Sequence, residues 1–455
     1  MSEPRRRPAP TLQRVAFKTS RLAEFVGQRE LTAQTGHHPQ DWPLVILKEL
    51  LDNALDECEE ADIPPEITVA VSTSRGEIAV SDNGRGLPAE ALHDILDYSY
   101  RVSSREAYVS PTRGAQGNAL KTLLAMPFAI HGKSGSTVVE SQSERHIITF
   151  RVDQLRQEPV IDHQRIPLVP HKKGTSVCIG WPESACSILT DAKSRFFQIA
   201  DDFGWLNPHL RIRVEWDGDV EVDREPSAPA WKKWRACDPT SAHWYDPARL
   251  ERYIAAHVSR DQDHGRDRTI REFISELRGF SGSAKQKCVL DETGLTRAPL
   301  SSLFGSAGDA KRTDIENLRR GLQAHSKPVK PHDLGLIGKE HLLARFTEAK
   351  VEPETFKYQK ALGETEGLPW IVETAFGWCP SQARRRIITG LNWSVGLGNP
   401  FRSFDRYGGE GLEHLLTDQR ASSNEPIIFV LHFVCPRVGY TDRGKSALTL
   451  PEEEQ

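Results

Sequence analysis

The chain has 455 residues, 38% of them hydrophobic and 27% charged, with a formal net charge of −4. That length is too great for one core and predicts two to four domains. The near-neutral charge means that any nucleic-acid contact must come from local basic surfaces, not from a whole-chain field. No apolar run approaches the roughly 20 residues that span a bilayer. The N-terminal Pro4-Arg5-Arg6-Arg7-Pro8 lacks the apolar stretch of a secretory signal. Seven scattered cysteines contain no Cys-x-x-Cys pair, which supports neither a disulfide framework nor a zinc site. A reducing, cytoplasmic setting is expected.

Residues 1–40 are basic, proline-containing and then mixed, and read as an N-terminal arm. Asp41-Trp42-Pro43 is a helix start, with Asp41 as cap and Pro43 in the first turn. In Glu49-Leu-Leu-Asp-Asn-Ala-Leu-Asp-Glu57, Glu49 and Asn53 lie one turn apart on one face, with Asp56 and Glu57 a turn further. Leu47, Leu50, Leu51 and Leu55 supply the apolar stripe. Glu66–Ser72 alternates as a strand, and Ser74-Arg75-Gly76 turns it into a second, Glu77–Ser81, to make a hairpin. That strand ends in Asp82-Asn83-Gly84-Arg85-Gly86-Leu87-Pro88, an acid followed by a glycine turn that lets backbone approach a ligand closely. A helix bearing a base and a metal ligand, facing a glycine turn bearing an acid, is a way to build a nucleotide site.

Pro88 to Leu96 reads as a short helix and Tyr98 to Pro111 as a loop. The loop leads to Arg113-Gly114-Ala115-Gln116-Gly117-Asn118, where a glycine-rich turn opens a helix whose first N–H groups suit phosphate. Three alternating segments follow: 137–141, 146–152 and 175–181, the last preceded by Lys172-Lys173-Gly174. An amphipathic helix carrying Phe196, Phe197, Ala200 and Phe203 precedes Asn207-Pro208-His209 and a strand over 211–216. Residues 221–246, rich in Pro, Trp and Lys, read as a linker. Short helices broken at Gly279 and Gly282 follow. Arg268, Arg271, Arg278, Lys285 and Lys287 there suit either phosphate contact or a solvated helical spacer. Near the end, 426–433 is a buried strand followed by Tyr440-Thr441-Asp442-Arg443-Gly444-Lys445.

The helix at 49–57, the Asp82 turn and the Arg113 glycine loop, in that order and spacing, resemble the ATP-binding fold shared by gyrase, Hsp90, histidine kinases and MutL. This is the GHKL, or Bergerat, α/β sandwich. Within it, the glycine loop with Leu206-Asn207-Pro208-His209 and the final Tyr-Thr-x-x-Gly-Lys turn is similar to the B subunits of type IIB enzymes, the topoisomerase VI family. The resemblance implies an α+β chain of five parts. These are an arm (1–40), an ATPase domain (41–220), a linker (221–246), a helix-two-turns-helix-like module (247–328) and a C-terminal α/β transducer (329–455).

It also implies the roles. Glu49 would be the general base and Asn53 the Mg²⁺ ligand. Asp82 would accept from the adenine amino group, with Gly84 and Gly86 giving the base room and Thr175 a hydroxyl beside it. Arg113, Gly114, Gln116, Gly117 and Asn118 would wrap the phosphates, and Lys445 would reach the γ-phosphate from the transducer. Bound ATP would close an ATP-dependent homodimeric clamp, acting on DNA with a separate DNA-cleaving A-type subunit. B subunits of this family continue into a stalk helix that docks the cleaving subunit, whereas this sequence stops ten residues after Lys445. A partner engaged differently, or a shortened paralogue with another task, is therefore expected. The competing reading is a stand-alone ATP-gated clamp of MutL or Hsp90 type. A sensor histidine kinase fits less well, because no dimerising helix with a phosphoacceptor His precedes Glu49.

Overall fold

The computed structural model describes residues 27–96, 107–113, 119–153, 155–156, 158–402, 411–440 and 447–449. After α1 (Gln28–Thr35) comes α2 (Trp42–Glu60), with Asp41 at its N-cap position and Pro43 in its first turn, although the Asp41 side chain makes no capping bond. β1 (Glu66–Ser72) and β2 (Glu77–Ser81) form the expected antiparallel hairpin, with Val69 opposite Val80. Beyond α3 (Ala89–Leu96) and α4 (Ala119–His131), the first two of the three expected alternating segments prove to be one strand, β3 (Gly135–Asp153). The third is the end of its long partner, β4 (Glu158–Gly180). The polar stretch from Gln142 to Glu144, which reads as a break between two strands, is a shift of register within β3.

Helices α5 (Cys186–Asp191) and α6 (Lys193–Leu206) lead into β5 (Arg211–Trp216), which runs parallel to β1, and β6 (Asp219–Arg224). The sheet order is β3-β4-β2-β1-β5-β6. Ile67, Val69, Ile78, Ile212 and Val214 bury one face of this sheet, in one core with Leu47, Leu51 and Leu55 of α2 and Phe196 and Phe203 of α6.

The stretch expected as a linker from residue 221 opens inside β6, because Val222 continues the ladder opposite Val214. Its later part is packed too: Lys233, Trp234, Trp244 and Tyr245 are buried. Five helices follow: α7 (Pro247–Asp263), α8 (Ile270–Ser275), α9 (Ser283–Thr293), α10 (Arg312–His325) and α11 (Lys339–Glu348). Thr269 and Glu272 cap α8 reciprocally. Arg268, considered for phosphate contact, is instead buried and paired with Asp261 at 2.6 Å and Glu276 at 2.7 Å. A second sheet comprises β7 (Lys357–Thr365), β8 (Leu368–Trp378), β9 (Arg386–Leu391) and β10 (Ser394–Val395), then, past α12 (Leu412–Asp418), β11 (Ile427–Val434). Its order is β10-β9-β11-β8-β7, so β11 is the central strand. β12 (Gly439–Tyr440) pairs with β13 (Leu448–Thr449).

A buried polar cluster joins these parts. Arg113 donates to Asp56 Oδ1 at 2.8 Å, to both Glu59 oxygens at 2.7 and 2.8 Å, and to Asn207 Oδ1 at 2.5 Å. Lys233 Nζ lies 2.7 Å from Glu59 Oε2 and 4.6 Å from the centre of the Trp393 ring. His209 Nε2 faces Glu59 Oε1 at 3.1 Å. Burial works against charge on Glu59, but Arg113 and Lys233 overcome it and hold the carboxyl well below its usual range. Asn207 Nδ2 also donates to the Trp393 carbonyl at 3.0 Å, tying α6 to the second sheet.

Removing the Glu59 charge leaves Asp56 as the remaining carboxylate partner of Arg113 and takes the buried Lys233 ammonium's ion-pair partner away. Glu59→Gln is expected to cost about 3–5 kcal/mol and to lower the thermal midpoint at pH 7. A depressed folded pKa stabilises above the unfolded value of about 4.3 and loses that contribution as pH falls toward the folded one. The gap between parent and variant should therefore narrow below pH ~4; midpoints measured across pH 3–8 check this.

Candidate functional site

Helix α2 carries three kinds of face. Leu47, Leu51 and Leu55 are fully buried. Glu49, Asn53 and Glu57 line a second stripe at (i, i+4) spacing, with Asn53 exposed and Glu49 and Glu57 partly so. The third stripe, Lys48, Asp52, Asp56 and Glu59, turns into the molecule: Asp52, Asp56 and Glu59 are buried. Asp56, expected beside Glu57 on the Glu49 face, belongs to this inner stripe, where Arg113 takes it.

The end of α2 packs against the Asp82 turn. A Cβ on Gly84 would sit 2.9 Å from Glu57 Cγ, so only glycine permits this approach of turn to helix. Asn83 fastens the turn: its Oδ1 accepts from Glu66 N at 3.0 Å and its Nδ2 donates to the Pro64 carbonyl at 3.0 Å. Asp82 Oδ1 accepts from Gly84 N at 2.8 Å and Thr175 N at 3.2 Å, while Oδ2 has no partner among the described residues. Burial raises the Asp82 carboxyl, and those two backbone donors and Lys172 oppose the shift. One fixed oxygen and one open oxygen present an oriented acceptor at the strand end.

Gly86 has φ +90°, and a Cβ there would come within 2.8 Å of Ser141 Oγ. The Leu87 N–H that follows donates to Ser141 Oγ at 2.7 Å and Thr175 Oγ1 at 3.1 Å. The Thr175 hydroxyl thus lies in the cradle beside Asp82, engaged by backbone and by Ser141. Ser141 and Gly174 complete this cradle; Gly174 is the glycine of the Gly-Thr pair, whereas Ser141 is not marked by the sequence. A serine in an alternating strand carries no signal of its own, and a Gly-Thr before a strand also reads as an ordinary turn until the contact of Gly174 is seen. Its φ is +74°, and a Cβ would lie 1.9 Å from the Asp82 carbonyl oxygen.

Arg113, expected among the phosphate-wrapping residues, does not serve there: its side chain is 0% exposed and committed to Asp56, Glu59 and Asn207. It anchors the root of the glycine loop instead. Neighbouring anchors hold the same segment, with Thr240 Oγ1 donating to the Val109 carbonyl at 2.7 Å and Tyr245 Oη accepting from Val109 N at 3.0 Å. Gly114, Gln116, Gly117, Asn118 and Lys445 lie outside the described residues. So Glu49, Asn53, Asp82, Gly84, Gly86 and Thr175 are placed on α2, on the Asp82 turn that packs on it and on the adjoining end of β4. No group of three or more His, Cys, Asp or Glu fit for a metal ion occurs among the described residues, and none of their helices is long and apolar enough to cross a membrane.

Residues 39–182 match the family described as histidine kinase-, DNA gyrase B- and HSP90-like ATPase. Among curated proteins, the chain is similar to the B subunit of type 2 DNA topoisomerase 6 from Archaeoglobus fulgidus, 27% identical over 39% of this chain and 30% of the relative. The match thus spans under a third of that relative's own length. The same subunit from Pyrococcus abyssi is 23% identical over 91% of this chain and 73% of the relative. That from Thermococcus kodakarensis is 22% identical over 96% and 83%.

The Gly174 contact is open to a controlled test. Gly174→Ala should strongly lower the thermal midpoint, because its methyl meets rigid backbone. Gly132 has a similar φ, +71°, and nothing within 4 Å of a built Cβ. Gly132→Ala should cost only the left-handed conformation, about 1–2 kcal/mol. Equal midpoints for the two variants would remove Gly174 from the cradle.

Proposed function

We propose that this chain, which carries an ATPase domain of the histidine kinase, DNA gyrase B and HSP90 type and resembles the B subunit of type 2 DNA topoisomerase 6, binds and hydrolyses ATP. In this reading it is the ATPase component of a type IIB topoisomerase-like assembly in the cytoplasm. The observation that carries the proposal is the outward stripe of α2, Glu49 and Asn53, on the helix whose end packs against the oriented Asp82 carboxylate.

Asp82 Oδ2 accepts from the exocyclic amino group of adenine, a donor that guanine lacks at that position. The turn at Gly84 and Gly86 keeps the adjoining backbone clear of side chains. Gly114, Gln116, Gly117 and Asn118, which precede α4 in the sequence, would offer backbone N–H groups to the phosphates. The exposed amide of Asn53 suits Mg²⁺, which takes few protein ligands beside phosphate oxygens and offsets their charge. Glu49 accepts a proton from the water that attacks the γ-phosphorus, as the bond to the bridging oxygen of ADP breaks. Lys445 adds an ammonium to the γ-phosphate from the far end of the chain.

Glu49→Ala should retain nucleotide binding while turnover falls roughly 10²-fold or more, the usual contribution of a positioned base. Asp82→Asn should weaken binding itself. Lys445→Ala should slow hydrolysis with ADP affinity nearly unchanged, because ADP has no γ-phosphate. Steady-state kinetics and ADP titration separate the three, and parental turnover in Glu49→Ala would sink the base assignment.

The assembly is proposed on the likeness to the topoisomerase relatives. ATP closes two copies into a clamp around DNA, and a separate A-type subunit cuts. A non-hydrolysable ATP analogue should convert monomers to dimers in sedimentation and increase recovery of an A-type subunit in a pull-down. A profile unchanged at saturating analogue counts against the clamp.

A further inference from the structure

Asp52 lies on the inner stripe of α2 and is 3% exposed. Its Oδ2 receives two donors, Lys48 Nζ at 2.9 Å and Ser394 Oγ at 2.6 Å. Its Oδ1 is buried without a hydrogen-bond partner. Lys48 Nζ also lies 3.2 Å from Glu49 Oε1. Burial opposes the charge on Lys48, yet Asp52 and Glu49 outweigh it and keep the ammonium protonated. A continuous polar chain therefore runs from Ser394 through Asp52 and Lys48 to Glu49, joining residues 342 positions apart at its first link.

The far end of that chain is delivered by a strained turn. Between β9 and β10, Asn392 and Trp393 have φ +49° and +65°. The second is a bulky residue in a region that L side chains avoid. Surrounding bonds enforce it: Cys435 N donates to Asn392 Oδ1 at 2.9 Å, and Trp393 N donates to His432 Nε2 at 3.2 Å. Well-packed apolar residues commonly serve a fold at least as well as a buried, half-satisfied carboxylate. A strained turn that delivers a hydroxyl to such a carboxylate points to a use beyond packing.

We propose that Ser394, Asp52 and Lys48 are positioning residues for ATP hydrolysis, holding the Glu49 carboxylate in one orientation toward the attacking water only while β10 is seated on α2. The proposal rests on the reading of Glu49 as the base. It makes the second sheet felt at the base itself, separately from any contact of Lys445 with the γ-phosphate. When β10 lifts, Asp52 loses the Ser394 donor that fixes its carboxylate, so the Lys48 ammonium and the Glu49 oxygen it meets are no longer held in one geometry.

The test uses the full chain. Ser394→Ala should lower kcat about tenfold, the order expected when a charge-assisted bond in a positioning chain is lost. KM for ATP and ADP affinity should stay within about twofold, since the chain does not touch the adenine cradle. Ser394→Thr keeps the hydroxyl and should restore most of the rate. Asp52→Asn combined with Ser394→Ala should be no slower than Asp52→Asn alone, because both act through one path. Parental kcat in Ser394→Ala overturns the proposal. So does a loss that Thr does not rescue and that ADP affinity shares. Should Ser394→Ala fail to fold, Lys48→Gln reads the chain from its outer end, and parental kcat there is equally decisive. If Glu49→Ala is slow while Ser394→Ala is not, this inference alone fails; if Glu49→Ala is itself unimpaired, the underlying base assignment fails.

Discussion

One buried carboxylate organises this molecule. Glu59 closes the inner stripe of α2 and bridges two cations from distant stretches of chain, Arg113 before the glycine loop and Lys233 after β6, with Asp56 as the second carboxylate on Arg113. Without Glu59, Lys233 loses its ion-pair partner and Arg113 keeps only Asp56, and without the two cations the buried Glu59 charge is itself uncompensated. The three segments are therefore fixed relative to one another by charge balance as much as by shape. Asn207 and Trp393 extend the same constraint to the second sheet. The root of the glycine loop is thus set by buried residues behind α2, away from the outward Glu49 and Asn53.

The consequence for α2 is a division of labour by helical angle. Leucines face the sheet, Glu49 and Asn53 face outward, and Lys48, Asp52, Asp56 and Glu59 face the rest of the chain. An ATPase helix with a charged inner stripe has a polar contact surface, and polar contacts are directional where apolar ones are not. Displacement of the second sheet by a small distance breaks specific bonds to α2 instead of merely thinning a packed layer.

Much of this is legible in the sequence. Alternation marks β1, β2 and β5 with their bounds, since each has one buried face. The acid and glycines of the Asp82 turn name their own chemistry. Arg113 reads wrongly because its neighbours are glycines that suit phosphate, and nothing local shows that Glu59 waits 54 residues upstream. Lys233 sits among Pro, Trp and Lys, a composition that reads as linker, yet its burial is set by partners in α2 and the second sheet. Ser394 and Asp52 stay hidden for the same reason. Patterns of period two or 3.6 report which face is buried; they do not report which distant residue covers it.

The hairpin of β3 and β4 leaves one more mark. β4 pairs with β2 only from Ser176 to Gly180, so its stretch from Glu158 to Thr175 has no second neighbouring strand among the described residues. Such an edge would recruit another chain if it were flat and apolar. Pro159, Pro167 and Pro170 remove donors along it, while Arg165, Lys172 and Lys173 place charge there. The long edge can therefore stay exposed without seeding sheet-to-sheet aggregation, and colloidal stability is written into the same strand that ends beside Asp82.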